Sequence, residues 1–223
     1  MVSKTKHRIL QAARILFNEE GESNVALVDI AAVLDISPGN LYYHYRGKEQ
    51  LIPVLVAMFE ADLEELLHAD TSELSVIDDY WAFVYLLLEN FYQYRFLLGL
   101  DFIRFNKSLE RRRKRLHTLL VKCAHSVIDN LQFGLDGTDL EGAELEGTAA
   151  VTHLEVDRMI LAENISFFIY SWVSLGDLDL DEAKVSQYLH EGVYRIFYQV
   201  GLSCGANQHF LSKCAAFRHS MGS

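Results

Sequence analysis

Proline is nearly absent from this chain. Only Pro38 and Pro53 interrupt its 223 residues, and so few helix breakers favour long helices. No alternating apolar–polar run bounded by turn residues stands out, so no sheet is expected. No apolar stretch reaches the ~18 residues without charge that a membrane crossing requires, so no membrane partner is expected. The opening Met-Val-Ser-Lys-Thr-Lys-His-Arg has no apolar core behind its basic residues, and no secretory signal is expected. The three cysteines, Cys123, Cys204 and Cys214, are odd in number and show no metal-type spacing. Free thiols in a reducing cytoplasm are the plain expectation. Also missing are His-Glu-x-x-His, a paired Cys motif, a Gly-rich phosphate loop after a strand and a nucleophile elbow. No enzyme, no cofactor and no metal site is expected.

What is present is apolar bulk: half of the residues are hydrophobic and 12% are aromatic, enough for a sizeable core. The net charge is −11, unevenly spread. Residues 1–50 balance six Lys/Arg (Lys4, Lys6, Arg8, Arg14, Arg46, Lys48) against six acids (Glu19, Glu20, Glu22, Asp29, Asp35, Glu49), and the whole excess lies in 51–223. An acidic body suppresses non-specific attraction to polyphosphate, so any nucleic-acid contact must come from a specific surface in the neutral N-terminal part.

Residues 27–48 carry such a surface. Ile30, Ala31 and Leu34 share a face of one short helix. Asp35 stands where the chain turns, and Asp tolerates left-handed backbone. Ile36 points back to the core. Ser37 is a good N-cap, with Pro38 at the first helical position. Leu41 and Tyr45 anchor a second helix, leaving Asn40, Tyr42, Tyr43 and His44 to face outward. A short helix with a buried stripe and an exposed polar-aromatic face is what a helix-turn-helix presents to the DNA major groove.

Residues 9–48 resemble the DNA-binding domain of the TetR (tetracycline repressor) family. The match runs through Asp29-Ile30-Ala31, Leu34, Ile36-Ser37, Gly39, Leu41-Tyr42, His44-Tyr45 and Lys48. It departs where the family has Thr or Ser opening the first of the two helices: Val25 and Ala26 stand there, and Asn24 is the candidate cap. Asp35 replaces the usual turn glycine, and Gly47 replaces a Ser-type cap. The resemblance implies a DNA-binding set of Ser37, Pro38, Gly39, Asn40, Tyr42, Tyr43, His44 and Lys48. Asn40, Tyr42, Tyr43 and His44 would read bases, while Lys48 and the amides near Ser37–Gly39 would hold phosphate.

The other elements follow from periodicity. Ile9, Ala13, Leu16 and Phe17 define a first helix over 3–20. Lys4, Lys6, His7 and Arg8 before them either reach phosphates or belong to a frayed end. The two helices already described cover about 27–34 and 38–45. A fourth helix runs from about 48 to 68, with Pro53 bending it as a hinge or a harmless kink. Further helices cover about 74–93 (apolar almost all round), 95–105, 107–133, 155–175 and 181–202. The basic run 110–115 reads as a solvated helix face, with direct DNA contact as the alternative. His117 and His125 on the same helix lack the spacing of a metal pair. The Gly- and acid-rich repeat at 134–153 reads as a loop without calcium-ligand spacing.

The expected fold is all-α with about nine helices: a helix-turn-helix domain at 1–47, a ligand-binding and dimerisation domain at 48–205 and a tail at 206–223. The body holds more aromatic surface than packing requires. Tyr85, Tyr92, Tyr94, Phe102, Phe105, His117, Asn164, Phe168 and Trp172 are candidates to line a cavity, or else they fill core. The resemblance implies that such a cavity takes a small effector, here a hydrophobic or amphipathic one. It also implies a homodimer through the last two helices, with Met159, Val185, Leu189, Gly192, Val193, Ile196 and Val200 as the candidate seam. The expected function is a cytoplasmic, ligand-responsive regulator, a repressor released from a palindromic operator in double-stranded DNA. The alternatives are an activator of the same fold or an all-α small-molecule carrier.

Overall fold

The computed structural model describes residues 4–68, 77–99, 114, 115, 117–128, 151–175, 181–203, 212–216 and 218. The start of the helix expected from 74, the segment with Phe102, Phe105 and most of the basic run, the Gly-acid repeat up to 150 and most of the tail lie outside these residues. The fold is all-helical, and no strand occurs among the described residues.

Helix α1 spans Lys4–Glu20 and buries Ile9, Leu10, Ala12, Ala13, Leu16 and Phe17. A single 3-10 turn, Glu22–Asn24, leads into α2, Leu27–Val33. The cap of α2 differs from expectation. Asn24 does not cap it, because its Nδ2 reaches back to the Glu20 carbonyl at 2.7 Å and satisfies the end of α1. Ala26 is the N-cap, and the Asp29 carboxylate accepts from the Ala26 N–H at 2.7 Å. An acid at the third helical position can therefore serve an N-cap residue with no polar side chain.

The end of α2 explains Asp35. Its φ is +52°, the only left-handed non-glycine among the described residues. The Asp35 N–H donates to Ala32 O (3.1 Å) and the Ile36 N–H to Ala31 O (3.0 Å). This is the paired bonding of a Schellman end, which needs one left-handed residue. Ile36 then packs on the core. Helix α3, Pro38–His44, starts at once, with Ser37 Oγ accepting from the Asn40 N–H at 3.2 Å. Helix α4 runs from Lys48 to Leu67, continuing through Pro53, with Gly47 as N-cap.

Helix α5 is Ile77–Gln93, followed by a 3-10 turn at Arg95–Leu98. Residues 117–128 lie in helix α6. The two long C-terminal helices are α7, Val151–Leu175, and α8, Glu182–Ser203. Helix α7 starts a turn before the expected 155, inside what the glycines suggested was loop. One buried apolar cluster runs from Ile9 in α1 through Leu41, Phe59, Trp81, Phe91, Ile165 and Val193 to Cys214. Helix α4 packs on both α1 and α5, and α5 is the central element, against α4, α7 and α8. Across the body, Arg115 ties α6's element to α4 through Glu60 at 3.0 Å and Glu64 at 3.8 Å.

Candidate functional site

The helix-turn-helix is rigid where it is buried and bare where it would read. Leu41 is fully buried and Tyr45 nearly so, while Ser37, Pro38, Gly39, Asn40, Tyr42 and Tyr43 are exposed. Tyr43 is 85% exposed, extreme for an aromatic side chain that could bury well over a hundred square ångströms elsewhere. His44 is half-buried, edge-on to Tyr43 at 5.2 Å between ring centroids. A Cβ at Gly39 would meet nothing within 4 Å. That glycine is therefore not required by the fold, and it leaves open space at the start of α3.

Lys48 is placed differently from the other seven. Its Nζ donates to Glu22 O at 2.6 Å and pairs with Glu22 Oε1 at 3.2 Å. This half-buried pair joins the α1–α2 turn to the start of α4. The cation stands near the reading helix, but within the isolated chain it is engaged with Glu22.

Two side chains that sequence reasoning passed over hold α1 to the body. Asn18 Nδ2 donates to Gln93 O at 2.7 Å, and its Oδ1 accepts from the Phe96 N–H at 3.0 Å. Arg14 donates to Gln93 Oε1 and lies over the Tyr94 ring, 5.0 Å from its centroid. The Tyr94 hydroxyl donates to Asp62 of α4 at 3.2 Å. Burial, and then the Asp62 charge, push its pKa up to about 12. The signal was there: Asn18 is polar yet follows directly on the buried Leu16-Phe17 pair.

Seven of the nine candidate pocket residues are among the described ones. Tyr94 is buried in the α1–α4–α5 contact, and His117 and Asn164 are exposed. Tyr85 packs on His190 at 4.6 Å. Phe168, Trp172 and Tyr92 belong to an aromatic column: Phe168 stacks on Trp172 (5.4 Å), Trp172 on Tyr188 (4.6 Å), and Tyr188 meets Tyr92 (6.2 Å). The Tyr188 hydroxyl donates to Trp172 O. Phe102 and Phe105 lie outside the described residues. Among the described residues, a cleft of about 500 Å³ is lined by none of the other seven. It lies between the end of α1, the following turn, residues 95–99 and α7. Arg95, the lone cation in the apolar run Phe96-Leu97-Leu98, was the sequence signal for it.

Most of the candidate dimer seam is covered within one chain. Leu189, Val193, Ile196 and Val200 are at most 1% exposed within one chain. Gly192 is buried too, and its Cα faces Trp172 and Leu88 so closely that an added Cβ would stand 2.7 Å from Trp172 Nε1. The stripe packs inward on α5 and α7, and Val185 is half-buried against the same core. Of the seven, Met159 alone is exposed, at 54%. It lies with Ile160 and Phe167 of α7, and with Tyr198 and Leu202 of α8, among the exposed large apolar side chains. Periodicity found a buried stripe but could not say whether this chain or a second copy covers it.

A three-helix head with a Ser-capped, outward-reading α3, set on a helical body, defines a helix-turn-helix DNA-binding transcriptional regulator. Comparison with known proteins agrees. Residues 9–54 match the model of bacterial regulatory proteins of the tetR family, and residues 58–200 match a bacterial transcriptional repressor model of the same family. The chain belongs to the TetR family. It is 42% identical over 52 residues to the HTH-type transcriptional regulator UidR of Escherichia coli, a stretch that is 23% of this chain and 26% of that protein. It is 31% identical over 75 residues to the probable HTH-type transcriptional regulator YttP of Bacillus subtilis, covering 34% and 36%. The HTH-type transcriptional regulator TtgR of Pseudomonas putida is 29% identical over 70 residues, covering 31% and 33%. The match thus spans about a quarter to a third of these relatives. A TetR-family regulator from Marinobacter aquaeolei shares the fold over 99% of this chain and 100% of its own, with a TM-score of 0.70 at 20% identity. Among the described residues no helix is long and apolar enough to cross a membrane, and no His/Cys/Asp/Glu group could hold a metal.

Proposed function

We propose that this chain is a cytoplasmic homodimeric repressor that binds a palindromic operator through α3 and is released by a small hydrophobic or amphipathic effector. The observation that carries the reading is the split of α3: Leu41 and Tyr45 are locked in the core while Asn40, Tyr42 and Tyr43 stand bare. The fold has no use for a Tyr that is 85% exposed, whereas a groove lined with thymine methyls and base edges does. In this reading residues 1–47 form the reading head and 48–205 the effector and dimer body. The Ser37 and Gly39 N–H groups take one phosphate. Lys48 takes another by exchanging Glu22 for DNA, with the Glu22 carboxylate competing against the phosphate.

Two heads one helical turn (~34 Å) apart are needed, since one short helix gives too small an interface. We place the dimer face on Met159, Ile160 and Phe167 of α7 with Tyr198 and Leu202 of α8, in place of the inward stripe. The test is selection of random duplexes on the purified chain at several salt concentrations. Recovery of one palindrome with a steep loss of affinity as salt rises is expected. Tyr42→Ala with Tyr43→Ala should abolish recovery without altering the melting temperature. Retained binding in that variant would refute the docking.

A further inference from the structure

The cleft between head and body has a charge pattern that its composition hides. Its apolar walls are Phe17 of α1, Phe96, and Tyr170 and Val173 of α7. Three glutamates line it, but they are not equivalent. Glu19 and Glu20 are exposed, Glu19 close enough to act on the Arg95 charge, and Glu22 is paired with Lys48 at 3.2 Å. The half-buried charge in the wall is Arg95. Its guanidinium stacks on the Tyr92 ring at 4.3 Å and its Nη1 donates to Tyr92 O at 3.2 Å. Its Nε is buried and has no hydrogen-bond partner among the described residues. Burial lowers the affinity of this guanidinium for its proton, and Glu19 offsets part of the effect. A buried donor left without an acceptor is costly, and a native chain seldom keeps one without a use.

We infer that this cleft is a binding site for an aromatic carboxylate, its carboxyl group on Arg95 and its ring against Phe17, Phe96 and Tyr170. An anionic oxygen in the cleft gives the half-buried Arg95 side chain an opposite charge, and a planar carboxylate suits a guanidinium. The cleft is distinct from the interior of the body. It is bounded by the end of α1 and its turn on one side and by residues 95–99 and α7 on the other. Any occupant therefore touches head and body together and favours whichever relative position gives it better contacts. That regulatory consequence rests on the regulator reading above; the binding does not.

The test is calorimetric titration of the full chain with 2-naphthoate, 2-naphthamide and 2-naphthylmethylammonium. Naphthoate should bind at least about tenfold tighter than the amide, as expected for a charge-assisted forked contact. Arg95→Met should bring the acid and the amide to parity. Ser23→Trp, at an exposed position on the cleft wall, should weaken all three probes. If Arg95→Met fails to melt cooperatively, Arg95→Lys keeps the charge but not the fork and should lose affinity for naphthoate several-fold. No binding at millimolar naphthoate, equal affinity for all three probes, or naphthoate affinity unchanged by the Arg95 variants and Ser23→Trp would each overturn the site. Titration is done without DNA, so a failed operator selection has no bearing on its outcome. Naphthoate-driven release from a selected operator would support the regulatory consequence, and binding without release would overturn that consequence alone.

Discussion

Gly192→Ala separates a stripe that packs within one chain from a stripe that pairs two chains. An alanine Cβ at 192 would lie 2.7 Å from Trp172 Nε1, 2.9 Å from Leu88 Cδ1 and 3.2 Å from Trp172 Cδ1. Ordinary contact needs roughly 3.5 Å or more, so both neighbours must retreat. Trp172 has little room, because it is stacked on Phe168 and Tyr188 and covered by Arg195 at 5.1 Å. Overpacking of this kind costs ~1–3 kcal/mol. The better helix propensity of alanine returns ~1 kcal/mol, leaving a net loss of up to about 2 kcal/mol. For a chain of this size that lowers the melting temperature by up to about 8 °C. The assay is a thermal melt by circular dichroism across a hundredfold range of protein concentration. A loss that is constant across concentrations is expected. A gain in melting temperature, or a loss that grows on dilution, would refute the inward packing.

Met159→Asp with Leu202→Asp should shift the chain toward monomer in sedimentation while leaving its helical content unchanged, because both side chains are more than half exposed. Asp35→Gly should raise stability by ~1 kcal/mol in urea unfolding by relieving the left-handed strain at φ +52°, and Asp35→Val should lower it. His190 gives a pH signature. Its Nδ1 accepts from Trp81 Nε1 at 2.9 Å, and burial lowers its pKa below the ordinary 6.5. The unfolded chain therefore takes up the proton first, so stability is intact above about pH 6.5 and falls as pH drops toward the depressed folded pKa. His190→Leu should flatten that part of the pH–stability curve, and an unchanged slope would count against the assignment. Glu22→Gln should raise affinity for any duplex in a filter-binding assay, since it removes a carboxylate that competes with phosphate for Lys48.

The reading helix was legible because its signals are local. Ser37, Pro38 and the Leu41/Tyr45 pair fix α3 within a few residues, and what is not used for anchoring must face out. The all-helical class followed from the lack of proline and the apolar periodicity. What sequence could not supply was partnership at a distance. Leu189, Val193, Ile196 and Val200 form one stripe whether α5 or a second chain covers it. Tyr92 and Trp172 look alike as pocket walls and as members of a stack. Asn24 and Asp29 are both plausible caps for α2, and only the path of the 3-10 turn sends Asn24 back to α1. Arg95 and Asn18 were visible as polar residues in apolar surroundings, but their partners lie on other helices.

The Asn18 contact bears on how freely parts of such regulators can be exchanged. It bonds to main-chain atoms of residues 93 and 96, so it asks nothing of the body's side chains and everything of the head's. A chimera that keeps this body and grafts on a foreign reading head would fold and still find its own operator. Without an amide at this position of the first helix, it would lose both main-chain contacts to the body. Head swaps between relatives should therefore be judged by this one side chain before any residue of the recognition helix is considered.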